Sequence, residues 1–81
     1  MHKVKKGMAE AIEIIVDSSY QNLKGKLISD LKLDENINIP ALKRGESVLM
    51  AHSDTEIHDE DHLIVFYKDK EVIDNFYNTF R

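Results

Sequence analysis

Apolar and polar positions alternate from Ala11 to Val16, with Ile12, Ile14 and Val16 on one side and Glu13 and Ile15 on the other. The run is rich in β-branched residues and predicts a strand, although Met8-Ala9-Glu10-Ala11 would also start a helix. Asp17-Ser18-Ser19 closes it with turn chemistry. Leu23, Leu27 and Leu31 then recur every four residues beside Ile28, which predicts a short helix whose start is weakened by Gly25. Ile37, Ile39 and Ala41 alternate with Asn38, Pro40 and Leu42, giving a second strand. Pro40 has no N–H to donate to a ladder, so this strand is expected at a sheet edge, or Pro40 at a bulge. Lys43-Arg44-Gly45-Glu46 is a turn, and Ser47–Ala51 returns as a third strand with Val48 and Met50 on one face.

His52 to Asp61 is polar and acidic, interrupted by Ile57, with room for a short strand over Thr55–Ile57. Leu63-Ile64-Val65-Phe66-Tyr67 is the most hydrophobic run and predicts the central buried strand. Asp69 can cap a final helix in which Val72, Ile73, Phe76 and Phe80 form an apolar stripe beside Tyr77. The expected fold class is α+β: a small, mostly antiparallel sheet of four to five strands with two helices packed on it. Residues 1–10 are expected to be a linker or hinge left from a preceding domain, and residues 11–81 the folded domain.

Composition narrows the function. The chain has 81 residues, enough for one domain at most. It has no Cys, which excludes a disulfide framework and thiolate metal sites. A small domain without such staples often gains stability by oligomerising. The net charge is −4, which argues against a nucleic-acid or anionic-membrane binder. Lys3, Lys5 and Lys6 are too few, with no aromatic between them, to make a nucleic-acid footprint. No apolar run is long enough to span a bilayer, and no signal-peptide pattern follows Met1.

Candidate chemistry is sparse. His52, His58 and His62, with five carboxylates between them, could hold a divalent metal. Their spacing matches no recognised ligand motif, and the favoured reading is a solvated acidic turn. A domain this small rarely encloses the several hundred cubic ångströms a catalytic pocket needs, so it is not expected to be an enzyme. Gly7, Gly25 and Gly45 are too scattered for a phosphate-binding loop. The remaining candidate is the Ile37-Asn38-Ile39-Pro40-Ala41 segment. An apolar edge strand needs a cover, and a second copy related by a two-fold axis would supply one. Ile37, Ile39, Pro40 and Ala41 are therefore the expected dimer-interface or effector-binding residues.

Several short segments carry a family resemblance. Gly25-Lys26-Leu27, Asp30-Leu31 and Leu33, then Ile39-Pro40-Ala41-Leu42-Lys43-Arg44-Gly45, then Asp54-Thr55 with Ile57, then Asp61 with Leu63-Ile64-Val65 resemble, in order and spacing, the TrkA-C family, also called RCK-C. Gly7-Met8-Ala9-Glu10-Ala11-Ile12-Glu13 is similar to the segment that, in potassium-uptake regulators of this family, joins a nucleotide-binding domain to this one. Glu60 departs from the family's usual Gly before Asp61, which implies strain or a different turn there. Pro40 is also unusual within the family's strand.

The resemblance implies a regulatory domain of a potassium-uptake system that pairs with a second copy and acts on a potassium-transporting membrane subunit from the cytoplasmic side. Lys3 to Glu13 would be the hinge. No cofactor is implied in these residues, because NAD or ATP would bind the nucleotide-binding domain. Some relatives bind a cyclic dinucleotide between two copies. Related modules occur on other cation or anion transporters, which is one alternative. A stand-alone metal or small-ligand binder built on the His52–His62 loop is the other.

Overall fold

A computed structural model describes residues 10–81. The expected linker lies outside the described residues except for Glu10, which already belongs to the first strand. Among the described residues the strands are β1 (Glu10–Ile15), β2 (Ile37–Arg44), β3 (Ser47–Met50) and β4 (His62–Tyr67), and the one α-helix, α1, spans Lys70–Phe80. They form a single sheet in the order β1-β4-β2-β3, every neighbouring pair antiparallel. β4 is central, as its apolar run requires.

The helix expected over Leu23–Leu31 is not one. Two 3₁₀ turns, Ser18–Leu23 and Ile28–Leu31, take its place. Gly25 between them has φ +81, a left-handed conformation that ends any right-handed helix. The backbone nearby also bonds sideways. Gly25 N–H donates to Ile57 O at 2.8 Å, Ile57 N–H returns to Lys26 O at 2.8 Å, and Ile28 N–H donates to Thr55 O at 2.9 Å. This ladder is what became of the possible strand at Thr55–Ile57: it zips to residues 25–29 outside the sheet. Asp30 Oδ2 accepts from Leu27 N–H at 2.9 Å and starts the second turn. The leucine stripe still does its packing work, since Leu23 and Leu31 are buried in the core.

β2 is not an edge strand as a whole, because β4 flanks it on one side and β3 on the other. The bulge alternative for Pro40 is the one observed. Asn38 faces Phe66 and Ala41 faces Ile64, so β2 carries one more residue than β4 across that interval. The extra residue shifts the phase of the alternation. Ile37 and Ile39 point into the core before the bulge, and Leu42, with no exposure, points there after it. Ala41, expected beside Ile37 and Ile39, lies on the opposite face. The β2–β3 hairpin turns at Gly45, whose φ of +63 suits glycine.

The inner face of the sheet carries the core. Ile14, Leu63 and Leu42 form one cross-strand row, with Val65 and Ile39 nearby. Ile73, Phe76 and Phe80 of α1 close over it with Tyr20 and Leu23. Asp69 caps α1 as expected, its Oδ1 accepting from Val72 N–H at 3.0 Å. Phe76 and Phe80 stack one turn apart, ring centroids 4.9 Å apart.

One buried charge ties the layers together. Asp61 is 1% exposed. Its Oδ1 accepts from Arg44 Nε at 2.9 Å, and its Oδ2 accepts from Arg44 Nη2 and from His58 N–H, each at 2.8 Å. Arg44 also donates to Glu56 O at 2.9 Å, so one guanidinium joins β2, the start of β4 and the Thr55–Ile57 arm. Burial pushes the Asp61 carboxyl up, but the Arg44 guanidinium and the His58 amide outweigh it and hold it below the usual carboxylate range. Next to it, Glu60 has φ +69, a left-handed conformation that costs a residue with a Cβ, which is the strain expected at this turn.

Candidate functional site

Three rows of side chains stand on the outward face of the sheet. Ala11, Phe66 and Asn38 make the first row, across β1, β4 and β2. Glu13, Ile64, Ala41 and Met50 make the second, across all four strands. Ile15, His62, Lys43 and Val48 make the third. The first row lacks a β3 member because β3 ends at Met50 while β2 continues back to Ile37. The expectation of an edge therefore holds for the first half of β2. Its last tie to the β3 side is Ala51 N–H donating to Pro40 O at 2.9 Å.

Beside this open half lies a cavity of about 320 Å³ lined by Glu35, Asn36, Ile37, Asn38, Phe66, Tyr67 and Lys68. It offers two side-chain amides, an aromatic ring that is 43% exposed, a lysine and the Glu35 carboxylate. The amides and the ring suit a flat ring with hydrogen-bonding edges, while the lysine and the carboxylate offset one another. The Tyr67 hydroxyl is taken up by Glu10, donating to its Oε1 at 2.9 Å, which raises the phenol above its ordinary range.

The four residues singled out in the sequence fall on different surfaces. Ile37 and Ile39 are 7% and 2% exposed, spent in the domain's own core. Pro40 is half-buried at the bulge. Ala41 is half-buried on the outward face. Only the backbone of Ile37–Ile39 remains at the open edge. Phe66, Asn36 and Lys68 were missed, because their gathering depends on the bulge and on where β3 stops. The Asn38–Phe66 pairing had no local signal beyond the alternation of each strand.

The histidine loop does not gather. His58 Nε2 lies 3.5 Å from Glu56 Oε1, whereas His62 turns onto the sheet and donates from Nδ1 to Glu13 Oε2 at 2.5 Å. Among the described residues, no three of His, Asp and Glu converge as a metal-holding group. Lys43 Nζ stands 3.8 Å from the same Glu13 oxygen. The hydrogen bond from His62 is the main cause that lowers the Glu13 carboxyl, with the Lys43 charge adding to it against some desolvation.

A four-stranded antiparallel sheet with one face under a single helix and two 3₁₀ turns, and the other face uncovered among the described residues, defines a small α+β module. Residues 11–81 match the TrkA-C domain family, and the chain belongs to it. Among curated proteins it is similar to the Trk system potassium uptake protein TrkA of Halomonas elongata, 40% identical over 72 residues, covering 86% of this chain and 16% of that protein. The TrkA of Vibrio alginolyticus is 39% identical over the same length, with the same coverage. The TrkA of Haemophilus influenzae is 32% identical over 80 residues, 96% of this chain and 18% of that protein. The chain thus spans about a sixth of the length of the curated relatives it matches.

Two solved structures share the fold. A KtrA RCK C domain in complex with cyclic diadenosine monophosphate aligns with a TM-score of 0.72 at 23% identity, covering 88% of this chain and 82% of that one. A structure described as an RCK domain with cda aligns at 0.69 and 20% identity, covering 88% of this chain and 97% of that one.

Proposed function

We propose that this chain is the effector-sensing and pairing domain of a potassium-uptake regulator, and that it performs no chemistry itself. The family membership supports the first half, together with relatives whose names are those of potassium uptake proteins. The observation that carries the sensing role is the open half of β2, where Asn36, Asn38, Phe66 and Lys68 border one cavity. A structural relative was solved with a cyclic dinucleotide, a ligand of flat hydrogen-bonding rings and phosphate charges. The cavity here offers amides and an aromatic face that match the rings, and one cation, Lys68, set beside the Glu35 carboxylate.

An effector shifts a regulator only by binding one arrangement better than another. Two copies that close around a ligand at this edge would meet that requirement. Such a domain works at the cytoplasmic face of a potassium-transporting membrane subunit, while NAD or ATP binds a nucleotide-binding domain elsewhere in the regulator. No described helix is long and apolar enough to cross a membrane. Ala11–Glu13, part of the expected hinge, is strand paired to β4, so a hinge would lie before it.

The test is potassium uptake by cells carrying the regulator with or without residues 11–81. Uptake and its nucleotide response change on deletion if the proposal holds. If both are unchanged, it fails. Titration of the isolated chain with cyclic diadenosine monophosphate, beside Asn38→Ala and Lys68→Ala, reads the cavity directly, with binding weakened in both variants.

A further inference from the structure

We propose that the groove beside α1 is the seat of residues 1–9 of this same chain, which it holds as a strap through their lysines and apolar side chains. The seat is a different surface from the effector cavity and does not depend on it.

The groove has a volume of about 470 Å³ and runs between residues 30–34 and one side of α1. Leu31, Ile37, Phe76 and Phe80 form its buried floor, and the half-buried Leu33 and Val72 its shoulders. A hollow of about 180 Å³ continues it toward the start of α1, sharing Asp34, Val72 and Asn75 and adding Asp69 and Glu71. One end of the cleft is therefore apolar and the other acidic. Asp30, Asp34, Asp69 and Glu71 stand around it, and Lys32 is the one cation in the two linings among the described residues. Among the described residues, Asp34, Asp69 and Glu71 belong to no ion pair.

This chemistry says what fits. An anionic ligand would meet like charge, whereas a cation with an apolar body would satisfy both ends. Residues 1–9 carry Lys3, Lys5 and Lys6, with Met1, Val4 and Met8 among them and no acid. A lysine can lay its methylene stem along apolar surface while its ammonium stays at a polar rim. Exposed ion pairs contribute little by themselves, so the apolar floor has to supply part of the hold.

The segment also starts in the right place. Glu10 and Ile37 both face Tyr67, from opposite sides of β4. Neighbouring strands lie about 4.8 Å apart, so Glu10 stands about 10 Å from Ile37 of the groove floor. Asp69 follows Tyr67 by two residues. Nine extended residues span about 30 Å, enough to pass Asp69 and Asp34 and reach the apolar end. Tethering gives a local concentration on the order of millimolar, so a seat of only millimolar intrinsic affinity is about half occupied. The expected linker is then a strap across α1, and the groove would set the angle at which any preceding domain meets this one.

Carbodiimide cross-linking of the chain at low ionic strength, read by peptide mass mapping, tests this. The reagent activates a carboxylate, a lysine amine displaces the resulting urea, and an amide forms with net loss of water where the two groups touch. Lys24–Asp59 and Lys70–Asp74, 2.8 and 2.7 Å apart, are internal positive controls. An equal mixture with isotope-labelled chain separates links within a chain from links between chains. The expected result is links within a chain from Lys3, Lys5 or Lys6 to Asp34, Asp69 or Glu71. Control links without these overturn the proposal, as do links from the three lysines that reach only Glu10 or the distant Asp54 and Asp59. Links found only between labelled and unlabelled chains would make another copy's segment the occupant, and overturn it too. Val4→Ser keeps every charge and should lower the yield of the expected links at least about threefold, the share of a partly buried valine. An unchanged yield overturns the groove as the seat. Backbone amide resonances of the chain carrying Lys3→Gln, Lys5→Gln and Lys6→Gln are a second readout. Shifts should appear at Leu33, Val72, Asn75 and Thr79, and shifts confined to Glu10, Ala11 and Tyr67 overturn the proposal.

Discussion

The two faces of the sheet are built from the same strands and have opposite fates. On the inner face Leu42, Leu63 and Val65 have no exposure, while on the outer face Val48 and Met50, no less apolar, keep about two thirds of theirs. Hydrophobicity does not distinguish them. The difference is that α1 and the two 3₁₀ turns reach only one side. A β-strand divides its side chains by parity alone, and burial follows whatever layer arrives.

Four substitutions probe that contrast, from the largest effect to the smallest. Leu63→Ala on the inner face should cost about 3 kcal/mol in urea unfolding, the usual loss for a buried leucine with a cavity left behind. A cost below 1 kcal/mol would mean the inner face is loosely packed. Arg44→Met should cost less, about 2 kcal/mol, because Asp61 is left buried without its partner but water can reach the half-exposed arginine site.

That variant has a pH signature. The folded Asp61 carboxyl sits below its unfolded value, so its contribution is present above about pH 4 and is lost as pH falls through the lower folded value. Without Arg44 burial dominates and favours the protonated acid. The gap between wild type and Arg44→Met should therefore narrow as pH falls from the raised carboxyl range of the variant, above about 4, through the lowered range of the wild type, and a gap that stays constant would show that the ion pair is not its source.

Glu60→Gly should raise stability by about 1 kcal/mol by relieving a left-handed residue, read as a melting midpoint several degrees higher. Last, Val48→Thr on the outer face should change monomer unfolding by less than about 0.5 kcal/mol. A loss comparable to that of Leu63→Ala would mean the outer face is as buried as the inner one.

Much of the architecture is legible along the chain. The central strand, the Gly45 hairpin, the Asp69 cap and the Phe76–Phe80 stripe all declare themselves through spacing and turn chemistry within a few residues. The Leu23–Leu31 stripe does not, because helical spacing reports which side chains are buried and not how the backbone bonds. Here Gly25 and the Ile57 ladder draw the hydrogen bonds sideways. The candidate site is the least legible part. Pro40 signalled an irregularity, but its consequence, the transfer of Ala41 to the outward face while Leu42 turns inward, depends on one extra residue measured against β4.

Local sequence alone determined where strands, turns and the final helix lie, which charges flank them, and that no thiol chemistry is available. Those features follow from backbone sterics, periodicity and composition, and each is decided within one turn or one strand. Tertiary structure decided which apolar stripe would be covered, that Arg44 and Asp61 would meet across 17 positions, and that Asn38 and Phe66 would border one cavity. Such outcomes depend on register between distant strands, where a shift of a single residue exchanges the two faces.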